Sequence, residues 1–127
     1  MKPRDSLVRL KAFQVNEKQR QRDQLAMMIA EFDRMASDLD AQIANEERRS
    51  GITDPHHFAY PMPAKAARTR RDNLNDSMRE LKVQLDAAKI ALEEAQAELD
   101  KAQAKERRDG RAPVQDSPRV AKNAMIG

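Results

Sequence analysis

The sequence predicts an all-α fold, an antiparallel two-helix coiled-coil hairpin followed by a tail. Three observations carry this. Ala, Glu, Lys, Leu and Arg make up 62 of the 127 residues, while Phe, Ile, Leu and Val together supply only 22. A globular core needs a larger apolar share, whereas helices zipped along one stripe do not. Two long stretches lack Gly and Pro, and both repeat their apolar residues at alternating spacings of three and four, the rhythm of a coiled-coil seam. Charge comes in blocks: 1–24 is net +4, 25–50 is −3, 51–79 is +2, 80–106 is −3 and 107–127 is +3. Folding the chain back on itself sets opposite signs side by side.

The first helix is expected at about 6–50, with Asp5 or Ser6 as N-cap and Gly51 as its stop. Its seam reads Leu25, Ile29, Phe32, Ala36, Leu39 and Ile43. Extended backwards, the same positions hold Arg22, Lys18, Val15, Lys11 and Val8, so the stripe becomes mixed. The second helix is expected at about 64–108, with Pro63 in its first turn and Gly110 beyond its end. Its seam is Leu74, Met78, Leu81, Leu85, Ala88, Leu92, Ala95, Leu99 and Ala102. Each helix would span about 65–70 Å at ~1.5 Å per residue.

Placing Ile43 beside Arg71 keeps both seams in phase. It pairs Ala36 with Met78, Phe32 with Leu81, Ile29 with Leu85, Lys18 with Ala95 and Val15 with Leu99. Asp38, Asp40, Glu46 and Glu47 then fall near Arg68, Arg70, Arg71 and Arg79, and Lys18, Arg20 and Arg22 near Glu93, Glu94 and Glu98. Single exposed pairs contribute roughly 0–1 kcal/mol, but blocks of them choose orientation. The hairpin therefore occupies 1–108, and 109–127, rich in Pro, Gly and basic residues, reads as a disordered basic tail.

The connection, 51–63, reads GITDPHHFAYPMP and holds both histidines and the only tyrosine. Thr53, Asp54 and Pro55 suggest a capped helical turn through His56–Tyr60, with Phe58 and Tyr60 covering the open end of the seam near Ile43, Ile52 and Ala67. A metal or acid–base role for His56 and His57 is disfavoured. Adjacent histidines on a regular element do not face one ion, and no Cys or third His exists to complete a ligand set. Carboxylate pairs such as Glu46-Glu47 and Glu93-Glu94 read as solvated helix faces, and no phosphate loop or nucleophile elbow is present. The expectation is a protein without catalysis, cofactor or metal. With no Cys and no apolar run of the ~20 residues a membrane span needs, a cytoplasmic protein is expected.

Near the chain ends, Lys11, Lys18 and Arg22 meet a face thinned to Ala88, Ala95 and Ala102. Their methylenes can lie over alanine with the charge turned outward. Alternatively this basic half docks into a partner. Leu7, Leu10 and Phe13, off the main seam, add apolar anchors that favour a protein partner. The candidate partner-binding residues are Leu7, Leu10, Lys11, Phe13, Lys18, Arg20 and Arg22.

The opening SLVRLKAFQVNEKQRQRDQL, an apolar cluster leading into a basic, Gln-rich helix, resembles the start of the FliJ family of bacterial flagellar type III export. The connection resembles that of short alphaproteobacterial members in Gly51, Ile52, Asp54, Pro55, His57, Phe58, Ala59, Tyr60 and Pro61. The resemblance covers roughly 1–108 and leaves the tail unmatched. It implies a non-catalytic stalk and adaptor that binds the hexameric export ATPase, the membrane export gate and export chaperones. Such a protein would sit in the cytoplasm, peripherally at the inner membrane of the flagellar base, without inserting into it. Two other readings stay open. One is a structural hairpin that self-associates. The other is a nucleic-acid-binding coiled coil, which acidic blocks between the basic ones, a single Tyr and the lack of a recognition motif disfavour.

Overall fold

A computed structural model describes residues 3–111. Two helices, α1 (Pro3–Ser50) and α2 (Met62–Arg111), pack against each other as an all-α hairpin. Helix α1 begins three residues earlier than its sequence suggests, on a proline, whose fixed φ and missing N–H suit a first helical position. Asp5 therefore lies in the first turn rather than before it, where its carboxylate complements the helix dipole. Arg48 and Arg49 fill the last turn. The helix then stops at Gly51, whose φ of 74° is a left-handed conformation that glycine adopts without strain. The Gly51 N–H closes the end by donating to the Glu47 carbonyl at 2.8 Å.

Helix α2 starts at Met62, with Pro63 in its first turn as expected. At the other end it runs through Gly110 to Arg111. A glycine costs a helix about 1 kcal/mol relative to alanine, too little to end one by itself. Residues 109–111, expected in the tail, thus belong to the helix; the remainder of that tail, 112–127, lies outside the described residues.

The described chain divides into two compact units. One comprises 21–88, with the connection. Its buried apolar residues are Ala36, Ile43, Tyr60, Ala64, Ala67, Met78 and Leu81. Arg71 Nη1 reaches Asp40 Oδ1 across the helices at 2.8 Å, and Arg68 Nη1 lies 3.8 Å from Glu47. The other unit joins the start of α1 to the end of α2 and buries Val15, Leu99 and Ala102. There Lys11 Nζ lies 3.8 Å from Glu98. Within 21–88, Asp40 meets Arg71 and the later Glu47 meets the earlier Arg68, as an antiparallel register requires.

The seam matches its prediction position by position. From Val8 to Glu46, every third or fourth residue of α1 is buried or half-buried, including Lys11, Lys18 and Arg22. The same alternation runs from Ala64 to Asp109 on α2.

The connection differs from expectation. His56–Tyr60 forms no helical turn. Two tight turns follow one another, closed by His57 N–H to the Asp54 carbonyl and Tyr60 N–H to the His57 carbonyl, both at 3.0 Å. Pro55 suits the second position of the first turn. Asp54 supplies the capping side-chain acceptor, taking the His56 N–H at 2.9 Å. This turn sends its two aromatics in opposite directions. Tyr60 is 6% exposed and Phe58 is 96% exposed, so Tyr60 alone is buried and Phe58 does not cover the seam. Tyr60 Oη donates to Glu47 Oε2 at 2.7 Å. Burial, and then the Glu47 carboxylate, push the phenol above its ordinary pKa.

Candidate partner-binding surface

The α1 segment that carries most of the candidate residues lies in the unit formed by the chain ends. Leu7, Leu10 and Phe13 are 39%, 50% and 58% exposed, increasing in chain order. The order follows from helix geometry. Leu7 precedes the seam residue Val8, and each further step of three residues turns about 60° around the axis. Phe13 consequently stands on the face away from α2. Three large apolar side chains in adjacent turns form a patch that the hairpin leaves uncovered.

The basic candidates divide by environment. Lys11 is a seam residue with its ammonium turned to Glu98. Lys18 is also a half-buried seam residue, and among the described residues no carboxylate lies within ion-pair distance of it. Arg20 is exposed and pairs along its own helix with Glu17. Arg22 falls in the other unit, half-buried, with Nε donating to Asp23 at 2.9 Å. The expected approach of Arg20 to the acidic residues of α2 is replaced by this local pairing. A neighbour three residues away on the same helix is always within reach, whereas a cross-helix partner must hold two long side chains extended.

Lys18 in a coiled-coil seam is a charge where an apolar residue would pack better. Lys18→Leu is expected to raise stability by about 1 kcal/mol, read as a higher urea midpoint by circular dichroism. An unchanged midpoint would mean that the lysine methylenes already fill that layer.

Sequence reading missed other exposed apolar residues, and their signal was available. Val83 and Ile90 on α2 are both exposed, as is Ala87 between them. Their spacings of four and three are a signal in the sequence, off the seam, that a search for one heptad overlooks. Met27, Met28 and Met35 on α1 are exposed as well.

His56 and His57 are exposed, and no group of three His, Cys, Asp or Glu among the described residues could hold a metal ion. No helix among them is long and apolar enough to cross a membrane. No family model, no curated protein and no solved structure matches the chain.

Proposed function

We propose that this chain is a non-catalytic stalk and adaptor of the bacterial flagellar type III export apparatus. It binds the hexameric export ATPase, the export gate and export chaperones, working in the cytoplasm at the inner face of the flagellar base. The observation that carries this reading is the uncovered Leu7–Leu10–Phe13 patch. It lies within the SLVRLKAFQV segment whose likeness to FliJ proteins suggested the role. An apolar patch beside basic side chains suits a protein partner with an acidic rim, in which the apolar anchors hold and the charges steer.

The test uses purified full-length protein and a flagellar export ATPase. Leu10→Glu with Phe13→Glu is expected to weaken binding by roughly a hundredfold, while helicity stays unchanged because neither side chain is packed. Lys18→Glu with Arg20→Glu is expected to lower the association rate and its salt dependence. Equal binding by the Leu10/Phe13 variant, or no binding by the parent protein, would remove the assignment.

The exposure of Val83 and, in the other unit, of Ile90 favours one competing reading, a hairpin that associates with further copies of itself. Mass measured across a concentration series separates the two. A stalk stays monomeric alone, and a self-associating scaffold does not.

A further inference from the structure

The connection between the helices displays groups that neither the packing of the hairpin nor the Leu7–Leu10–Phe13 surface of the proposed stalk and adaptor uses. Phe58 projects into solvent, its ring stacked on that of His57 with centroids 4.7 Å apart and planes 21° from parallel. An exposed aromatic on a loose loop would mean little, but this backbone is pinned at several points. Asp54 takes the His56 N–H, and His57 Nδ1 takes the Ala59 N–H at 3.0 Å. Ser50 Oγ takes the Ile52 N–H at 3.1 Å, and Tyr60 anchors the far side through Glu47. The ordering entropy of the turn is therefore met by folding, and a partner meets Phe58 already presented.

Beside Phe58 lies a concavity of about 420 Å³, lined in part by Tyr60, Met62, Lys65, Arg68 and Asp72. That is within the ~300–1,000 Å³ range of clefts that seat ligand groups. Met62 on its lip is exposed. The charges around it are unevenly committed. Asp54 is held by the His56 N–H, Glu47 by Tyr60 and Arg68, and Asp72 by Arg71 Nε at 3.0 Å. Among the described residues, no carboxylate lies within ion-pair distance of Lys65. The uncommitted charge is cationic and the exposed lip is apolar.

We infer that this turn is a docking platform for a short acidic and apolar segment of a partner protein. The partner's apolar side chain lies against Phe58 and Met62, and its carboxylate sits on Lys65. A lipid surface fits less well, because a flat bilayer does not follow a concave wall, whereas the side chains of a peptide do. This platform uses residues separate from the Leu7–Leu10–Phe13 patch, so failure of either surface leaves the other standing.

The experiment pans the full chain against a displayed random dodecapeptide library and remeasures the consensus peptide by fluorescence anisotropy. Phosphatidylglycerol vesicles serve as the comparison. Enriched peptides are expected to combine Asp or Glu with Leu, Phe or Trp. Phe58→Ala is expected to weaken the consensus peptide about tenfold, and Lys65→Glu about fivefold with loss of salt dependence. Both variants should melt as the parent does. No enrichment, a basic consensus, or affinity indifferent to both substitutions overturns the proposal. Vesicle binding that Phe58→Ala abolishes, with no peptide selected, overturns it in favour of a lipid surface.

Discussion

Ala67→Glu is expected to unfold the unit that contains the connection, at a cost of about 4 kcal/mol or more. Ala64 and Ala67 have no exposed surface at all. Where α2 presents only methyl groups, a larger side chain has no space, and overpacking alone costs about 1–3 kcal/mol. Glutamate adds a carboxylate that must give up its water. Its α2 neighbours Arg68 and Arg71 are already shared with Glu47 and Asp40, so pairing the new charge with either would draw that cation from its present partner. A single domain of this size has only about 5–15 kcal/mol of stability in total, so the loss should be visible as a collapsed or missing urea transition in the circular dichroism signal. Ala66→Glu is the control. Ala66 is exposed, and the same new charge there should change stability by no more than about 0.5 kcal/mol. Similar transitions for both variants would mean that Ala67 does not face the seam.

The seam was readable because its information is periodic and redundant. Lys11, Lys18 and Arg22 would each be placed on a solvent face by residue type alone. The spacing of their neighbours puts all three in the half-buried stripe, where the structure has them. The cross-helix pairing of Arg71 with Asp40 was readable for the same reason, since the register follows from many positions at once. The connection offers no such redundancy. Phe58 and Tyr60 are two residues apart, both aromatic and both flanked by loop residues. Which one turns inward depends on the dihedral angles of two successive turns and on the Glu47 acceptor that the tyrosine hydroxyl finds. Residue type misleads here, because phenylalanine is the more apolar and is the one left in water. Helix ends are similarly soft. Proline can begin a helix and one glycine can be absorbed by it, so whether helix includes Pro3 or Gly110 depends on energies of about 1 kcal/mol. On the candidate surface, Leu7, Leu10 and Phe13 were recognisable because they break the seam's rhythm. Arg20 and Arg22 were not predictable in detail, because their choice of Glu17 and Asp23 over α2 is a matter of side-chain entropy rather than pattern.

Leu81→Ala is expected to destabilise the same unit by about 2–3 kcal/mol, the lower part of the ~2–5 kcal/mol range for a leucine truncated in a core. Leu81 is buried within the heptad stripe of α2. A seam only two helices deep can partly close over the gap, which keeps the cost below that in a globular interior. Val83 makes the internal comparison. It sits two residues along the same helix and is equally apolar, but it is exposed. A two-residue step turns about 200° around the axis, so burial of Leu81 in the seam carries Val83 to the far side. Val83→Ala should change stability by no more than about 0.5 kcal/mol, and any gain in helix propensity from alanine makes even that an upper bound. Urea denaturation of the two variants in dilute solution gives the answer directly. Equal losses would show that Val83 is packed in solution, and repeating the Val83→Ala measurement at higher protein concentration would then identify another copy of the chain as the packing surface, because mass action makes such a loss depend on concentration.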